Sequence, residues 1–489
     1  MFRHLSSKCA RRLLIGSLIV LISYDSRATA YYVRQTVGDD ANDGLTPRTA
    51  WQRLGKLSAL KPGDTAYVGP GLYREEIELK NDGSPDARIT LVADSAGKYT
   101  GDPPGRVMLA GSDPVDGKSF RPTGSPGVYS LANTGFPILG AVEMDSLEIR
   151  YHPASSTREH IVDKLTELQV VEKLPSHFEY DEASRTLYIH TSDGKAPATH
   201  DMEVIRRGFG IYLPGKHSVT VVGFTFRHMS DAGISFFKGA ADGAALFNTS
   251  YGSRQGVRVY TATNILVYGN TLFRNENCGV YFASGSTNGS AIRNVTYENA
   301  KGIRWGSKSV NGVALENVAF DNLEAGISLE DVKAATVRAN RIGNNRQTQL
   351  LVFDAEYNSD ENCFERSGPD QYLAHFIPWP RELLFKTLRD YTGARHQDVG
   401  SRESGCGAWP EKLDVHKMHS ESTAYRERAL KILESRADGG SGREGTPPVP
   451  TQTPVASRNT HPGPPVAKDR IQTARGADRA SENAPKLLR

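Results

Sequence analysis

Seven short segments between residues 210 and 353 repeat one pattern of apolar and polar positions. In each segment the first and third residues after the start are apolar, while the second and fourth vary. A period of two predicts a β-strand that buries one face and leaves the other face open. The segments recur at intervals of 23 or 24 residues and start at Gly210, Gly233, Gly256, Gly279, Gly302, Gly326 and Gln349.

An asparagine series repeats with nearly the same period. Its members lie 22 to 24 residues apart at Asn248, Asn270, Asn294, Asn317 and Asn340. Stacked amides can hydrogen-bond from one structural repeat to the next, which satisfies polar groups that a tight bend would otherwise bury unpaired. We therefore expect an asparagine ladder at one bend of each repeat.

A unit of about 23 residues with two or three short strands predicts an all-β parallel β-helix, whose core forms only when successive rungs stack. Leucine-rich repeats have a similar period and their own asparagines, but the inward positions here are Ile, Val, Phe and Trp rather than regularly spaced leucines. The β-helix is the better prediction.

The rest of the chain divides around these repeats. Residues 31–136 are expected to form an N-terminal cap and the first rungs, with a helical turn in Thr49–Leu60. Residues 137–205 break the period and predict an inserted β subdomain with a hairpin in Phe178–Ile189, which would either wall a cleft or serve packing alone. The main rungs occupy 206–360, a C-terminal cap with a helix in Thr423–Arg436 occupies 361–436, and residues 437–489 are expected to be a disordered Pro/Arg-rich tail.

Residues 1–30 have the pattern of a secretory signal peptide, with basic residues ahead of a short apolar run that is too short to span a membrane. We expect a secreted or periplasmic protein. The formal charge of +3 comes from this segment and the basic tail, so the body between them is net negative, which argues against a nucleic-acid partner. An oxidising compartment would permit a disulfide between Cys363 and Cys406, although free thiols remain the alternative.

The opening and closing motifs carry a family resemblance. Gly38–Pro47, Lys61–Thr65 and Gly71–Glu75 resemble the N-terminal segment of pectate-lyase-like right-handed β-helix proteins, and Glu356–Asn358 with Thr392–Asp398 resembles their ending. The resemblance covers most of residues 31–400. It implies a right-handed coil, but its reaction could be that of a polysaccharide lyase, an epimerase, a hydrolase or a protein without chemistry.

In that family the glycine-led strands form the substrate-facing sheet. Carried over, this places Arg258, Tyr281 and Arg304 in one outward line, with the two arginines about 10 Å apart. Guanidinium groups pair with carboxylates, and aromatic rings stack on sugars. The predicted catalytic residues are Arg258, Tyr281, Arg304, His228, Lys238 and Asp231, and the predicted substrate-binding residues are Tyr212, Phe237, Tyr260, Arg254, Glu324 and Glu330.

These residues favour an enzyme acting on a uronate-containing polysaccharide, most simply a lyase or a C5-epimerase, because both reactions neutralise a carboxylate and remove the adjacent proton. A glycoside hydrolase using carboxylates and a non-catalytic glycan-binding protein are the alternatives. No cofactor is certain, although Asp39, Asp40, Asn42 and Asp43 could hold Ca²⁺ unless they simply shape a turn. A monomer is expected.

Overall fold

The structure is a computed structural model that describes residues 28–145, 148–155, 165–377, 382–415 and 418. The predicted signal peptide up to residue 27, the predicted helix in Thr423–Arg436 and the predicted tail lie outside the described residues. Within those residues, no helix is both long and apolar enough to cross a membrane.

The repeats form a parallel β-helix, as predicted, and each complete rung contributes three strands. The first strand of each rung belongs to the glycine-led row. That row contains Ile77–Glu78, Phe209–Pro214, Ala232–Phe237, Gln255–Tyr260, Cys278–Ala283, Lys301–Val310, the first parts of Ala325–Arg338 and Thr348–Asp360, and Tyr372–Phe376.

The second and third strands form two further rows. The middle row contains Ala30–Val33, Thr65–Val68, Ile89–Ala93, Val219–Val222, Ala244–Leu246, Leu266–Tyr268, Ser290–Ile292, Val313–Leu315 and the second parts of Ala325–Arg338 and Thr348–Asp360. The third row is a ten-stranded sheet of Gly71–Tyr73, Val107–Ala110, Thr225–Arg227, Thr249–Tyr251, Thr271–Phe273, Val295–Tyr297, Val318–Phe320, Arg341–Gly343, Cys363–Glu365 and Arg402–Glu403.

The glycine series has a steric cause at the start of each glycine-led strand. A Cβ atom added to Gly279 would lie 2.6 Å from the carbonyl oxygen of Gly302 in the next rung, and one added to Gly256 would lie 2.5 Å from that of Gly279. Real Cβ atoms do not approach oxygen so closely. Only glycine lets the rungs stack at this point, which explains why the period is visible in the sequence.

The predicted asparagine ladder is present and fully buried. Asn294 shows the pattern: its Oδ1 accepts from Asn270 N at 3.0 Å, and its Nδ2 donates to Asn317 Oδ1 at 3.0 Å. A second ladder, not predicted, runs through Asn275, Asn299, Asn322 and Asn345 at the turn after the third strands and ends on Gln349. Gln349 therefore replaces the last glycine of the series because its amide closes this ladder.

The inserted subdomain begins earlier than predicted, because its antiparallel strands start at Ser112 rather than near residue 137. One sheet contains Ser112–Val115, Gly140–Glu143, Ile149–Arg150 and Met202–Ile205. The other contains Arg121–Pro122, Val128–Leu131, His152–Pro153, His177–Asp181 and Thr186–His190. The last two strands form the predicted hairpin, and a separate apolar core lies beneath it.

Helices are few in the described residues. The predicted helical turn near Thr49–Leu60 is two short 3₁₀ segments, Pro47–Thr49 and Leu54–Ala59, and the α-helices are Glu167–Lys173 and Leu388–Arg395. Two further 3₁₀ turns lie at Gly117–Ser119 and Pro197–Thr199, and Leu383–Phe385 pairs antiparallel with Tyr372–Phe376. A disulfide joins Cys363 to Cys406, with their Cα atoms 5.5 Å apart, and Cys278 is a buried free thiol.

Candidate active site

The predicted outward line on the glycine-led row is confirmed by the strand register. Arg258 pairs with Tyr281, and Tyr281 pairs with Arg304 on the next rung. The line continues in both directions through residues that the chain places on successive rungs: Glu78, Tyr212, Ser235, Arg258, Tyr281, Arg304, Ser328, Leu351 and His375.

Arg258 lies at the centre of a group of aromatic rings. Its guanidinium carbon is 5.0 Å from the ring centroid of Phe209, 4.9 Å from Phe237 and 5.7 Å from Tyr260. Tyr212 stacks on Phe209 with the ring centroids 4.4 Å apart. This surface, here called the aromatic platform, combines a cation with flat rings as the sequence predicted, and both features suit a sugar chain.

Asp231 is the carboxylate that pairs with Arg258. Its Oδ2 accepts from Arg258 Nη1, while Oδ1 is buried and has no hydrogen-bond partner in the described part of the chain. Burial raises the pKa of Asp231 above its ordinary value, although the charges of Arg258 and Arg254 act in the opposite direction. A carboxyl group with a raised pKa and an unpartnered oxygen is suited to donating a proton.

The second arginine of the line belongs to a separate ionic cluster. Arg304 Nη2 pairs with Glu330 Oε2, and Lys301 Nζ lies 3.1 Å from Glu330 Oε1 and 3.3 Å from Glu324 Oε2. Burial alone would raise the pKa of Glu330, but Lys301 and Arg304 hold it below its ordinary value. Glu330 is therefore an ionised partner of the cations rather than a proton donor.

These contacts change what the line can do. Arg258 and Arg304 each already have a carboxylate partner, so a substrate carboxylate would have to displace Asp231 or Glu330. The guanidinium carbon of Arg304 lies 4.8 Å from the ring centroid of Tyr281. Burial raises the pKa of Tyr281 above its ordinary value. A tyrosine base needs a lowered pKa, so the geometry gives little support to that role.

The structure adds two carboxylates that the sequence analysis missed. Glu78 stands next to Tyr212 in the outward line, and Glu76 Oε2 accepts from Phe209 N at 3.2 Å. Burial raises the pKa of Glu76, and the charge of Glu78 raises it further. Burial raises the pKa of Tyr212, and the negative charges of Glu78, Glu76 and Asp231 raise it further. Three carboxylates therefore lie near one end of the platform.

The structure does not bring His228 to this surface. Its ring is only 1 % exposed, with Nε2 3.1 Å from Glu148 Oε2 and Nδ1 3.2 Å from Ser112 Oγ. Arg227 beside it pairs with Glu203 at 3.1 Å. The predicted proton-transfer role of His228 on the outward line is therefore wrong: the residue directly follows the third-row strand Thr225–Arg227, and its ring contacts Ser112 and Glu148 of the insert.

The other predicted residues occupy the edges of the platform. Lys238 is exposed, with Nζ 5.1 Å from the ring centroid of Phe237. Arg254 is also exposed, and it lies close enough for its positive charge to lower the pKa of Asp231. Glu324 lies beyond Tyr281 in the cluster around Lys301. The structure therefore brings Arg258, Asp231, Tyr212, Phe237, Tyr260, Lys238 and Arg254 together and leaves Arg304, Glu324 and Glu330 in the neighbouring cluster.

A cavity of about 220 Å³ lies behind the platform, between the insert and the turns that enter the glycine-led strands. Arg150 of the insert spans this region: Nη1 donates to Met229 O and Gly252 O, both at 2.9 Å, and Nε lies 3.7 Å from Glu276 Oε2. The insert is thus anchored to the turns beside Asp231. The walls of the cavity combine apolar side chains, such as Tyr251, Leu323 and Val415, with charged and polar ones: Glu148, His152, His228, Arg274, Asn275, Glu276 and Glu298.

The residues of the proposed calcium site hydrogen-bond to the backbone. Asp39 and Asp43 each accept from a backbone N–H two residues ahead, as turn residues do, and Asp40 accepts from Gln52 N and Arg53 N. Asn42 Nδ2 donates to Ala50 O at 3.4 Å. Among the described residues, Glu143, Asp145 and His200 could together hold a metal ion, but His200 already bridges Asp145 and Asp193.

Comparison with known proteins agrees with this architecture. A family profile described as "Right handed beta helix region" matches residues 209–364. This match agrees with the parallel β-helix described above and indicates that its coil is right-handed. No curated protein matches it in sequence.

Several solved structures share the fold at low identity. A complex of XylC with xylose has a TM-score of 0.50 and 15% identity, covering 71% of this chain and 68% of that one. A rhamnogalacturonan lyase has a TM-score of 0.45 and 10% identity, covering 79% of this chain and 90% of that one. The A-module of mannuronan C-5 epimerase AlgE4 from Azotobacter vinelandii has a TM-score of 0.33 and 13% identity, covering 62% of this chain and 73% of that one. By name the second structure is a lyase and the third an epimerase, and at this identity the similarity concerns the fold alone.

Proposed function

We propose that the chain is an exported enzyme that cleaves glycosidic bonds of an acidic polysaccharide by hydrolysis, at the aromatic platform. The observation that carries this proposal is Asp231, a carboxyl group with a raised pKa and one unpartnered buried oxygen, set beside Arg258 and three rings. Hydrolysis of a glycoside needs a proton on the leaving oxygen, and such a carboxyl group supplies it.

The second carboxylate that hydrolysis requires would come from Glu78, two rungs before the strand that follows Asp231. Glu78 is exposed in the outward line, and Glu76 lies behind it. In this mechanism Asp231 gives its proton to the glycosidic oxygen as that bond breaks. Glu78 removes a proton from the water that attacks the anomeric carbon, and the oxygen of that water ends on the released sugar.

The proposed substrate charge follows from the edges of the platform. Arg254 is an exposed cation at the Asp231 end of the strands and Lys238 is one at the opposite end, and neither has a carboxylate partner among the described residues. Guanidinium and ammonium groups in this setting pair with the carboxylates of uronate units. The rings of Phe237 and Tyr260, on neighbouring rungs with their centroids 5.5 Å apart, would hold the sugars.

Export is part of the proposal. It is supported by the basic and apolar pattern of residues 1–30 and by the disulfide between Cys363 and Cys406, because disulfides form and persist in oxidising compartments.

A lyase or C5-epimerase is the second candidate. It is favoured by the two arginines and Tyr281 in one line, the arrangement predicted from the sequence. It requires a substrate carboxylate to displace Glu330 from Arg304 and requires Tyr281 to lose a proton despite its raised pKa. Because of these two requirements, we favour hydrolysis over elimination or epimerisation.

Product analysis separates the candidates. Purified chain, without its first 30 residues, is incubated with a panel of uronate-containing and neutral polysaccharides. Hydrolysis releases reducing ends with no ultraviolet absorbance from unsaturated uronate, elimination gives both signals, and epimerisation changes uronate stereochemistry without shortening the chain. Unsaturated products or epimerised polymer would overturn the hydrolytic proposal. Saturable binding with no product would favour a binding protein instead.

A further inference from the structure

The outer face of the middle row carries apolar side chains where a solvent-facing sheet would ordinarily be polar. Adjacent rungs place one outward residue above the next in an unbroken register, and every one is apolar or aromatic and partly exposed. We call this line the apolar stripe; it consists of Tyr67, Val92, Val222, Leu246, Tyr268, Ile292 and Leu315.

The stripe is distinct from the core of the β-helix. The inward neighbours on the same strands, such as Val221, Ala245 and Val267, are fully buried, so the interior is already filled by other residues. The stripe also ends sharply, because the next two rungs place Arg338 and Asp360 at the same register position. Apolar side chains are thus confined to one part of the outer face.

The size of the stripe can be compared with that of known interfaces. Seven positions about 4.8 Å apart give a length of about 29 Å. Phe247, which is 59% exposed, widens the stripe at its centre and contacts Tyr268 edge-on with ring centroids 5.4 Å apart. A stable interface buries roughly 800 Å² on each partner, so contact over this length must also include the polar residues along both edges.

Those edges are polar without an excess of either charge. Along one edge, Arg293 pairs with Glu316 at 2.5 Å, and Arg338 pairs with Glu361 at 2.5 Å. Along the other edge, exposed amides bond from rung to rung, as Asn288 does to Asn264 at 2.9 Å. An apolar centre with a neutral polar rim is typical of association between proteins, whereas an anionic lipid surface recruits unpaired cations.

We propose that two copies of this chain associate through the apolar stripe, face to face across a twofold axis. A twofold axis sets the same patch against itself, so each copy covers the other's stripe, and an edge that carries both charge signs can face its own copy without repulsion. This arrangement leaves the aromatic platform, on a different row of strands, outside the interface. It would replace the monomer expected from the sequence, and it does not depend on the proposed hydrolysis.

Sedimentation velocity across micromolar concentrations, on the chain without residues 1–30, tests this. Wild-type protein is expected to sediment as a dimer, whereas Ile292→Lys and Phe247→Lys are expected to sediment as monomers with unchanged circular dichroism. Val399→Lys is the matched control, because Val399 is 75% exposed and does not belong to the stripe. It is expected to remain dimeric.

Three results would overturn the proposal. One is a monomeric wild type at the highest concentration. Another is dimers that persist in both stripe variants. The third is a monomeric wild type that co-sediments with phosphatidylglycerol vesicles, which would make the stripe a lipid-binding face. If Ile292→Lys does not fold, Phe247→Lys still decides the matter, because the Phe247 side chain already projects largely into solvent.

Discussion

Replacing Asp231 by Asn removes the proposed proton donor while keeping its size. The amide can still accept a hydrogen bond from Arg258, so the platform should keep its shape. Loss of a positioned general acid lowers the rate by about 10²- to 10⁴-fold, which corresponds to roughly 3–5 kcal/mol in the activation free energy. We therefore expect kcat to fall by that factor while KM changes little.

The structural cost of the same substitution is expected to be smaller. The side chains of Asp231 and Arg258 are 23% and 14% exposed, so their pairing is neither a surface contact nor fully enclosed. Because the pKa of Asp231 is raised in the fold, its charged form adds no net stability, and replacing it by a neutral amide that keeps the hydrogen bond from Arg258 should lower the free energy of unfolding by no more than about 1 kcal/mol. The folded fraction at the assay temperature should then stay high, so the fall in kcat would not reflect unfolding.

The pH dependence gives a second readout. A general acid works only while protonated, so activity should fall as the pH rises through the raised pKa of Asp231, and this limb should disappear in Asp231→Asn. The contribution of Asp231 to the free energy of unfolding also falls as the pH rises. Because the folded state holds this proton more tightly than the unfolded chain does, Asp231 contributes stability below its ordinary pKa and loses it as the pH rises through the raised value.

Asp102→Asn is the matched control. Asp102 also pairs with an arginine, Arg34, at 2.6 Å, and both side chains are more buried than those of the Asp231 pair. Its loss should cost at least as much stability and leave kcat and the pH profile unchanged. The assignment of Asp231 would be refuted if Asp231→Asn kept more than about a tenth of the wild-type kcat, or if both variants lost activity equally.

Three further predictions concern the fold. Gly279→Ala should lower the free energy of unfolding by about 1–3 kcal/mol in urea titration because its Cβ would clash with the next rung, whereas Gly208→Ala, which has open space around it, should be nearly neutral. Asn294→Ala should cost about 2–4 kcal/mol, since it leaves buried donors of the ladder unpaired; a cost below about 1 kcal/mol would contradict that role. Reduction of the Cys363–Cys406 disulfide, which spans 43 residues, should lower stability by up to about 4 kcal/mol, measured by thermal unfolding with and without reductant, and an unchanged midpoint would contradict this.

Much of the fold could be predicted because the β-helix is built from local repeats. The glycine at the start of each strand is required by the carbonyl of the next rung, so a steric need of the tertiary structure leaves a periodic mark in the sequence. The same register correctly predicted that Arg258, Tyr281 and Arg304 form one line. The second asparagine ladder carries the same period and could have been found from Asn275, Asn299 and their successors.

The candidate site was predicted less completely because its electrostatics come from contacts without a period. The register gave no sign that Arg258 pairs with Asp231 or that Arg304 pairs with Glu330, since these side chains pair between different positions of adjacent rungs. His228 was expected beside the outward line because of its place in the chain, but the insert supplies Glu148 as its partner.

The sequence by itself determined the repeat, the direction in which each side chain of the main rungs points, and the surface most suited to a sugar chain. Only the tertiary structure decided which charges meet there. Glu76 reaches the platform from 133 residues before Phe209, because the insert separates two rungs that are neighbours in space. A repeated sequence pattern reflects contacts between equivalent positions in successive rungs. An insertion brings two distant segments into contact only once, so this contact produces no repeated pattern in the sequence.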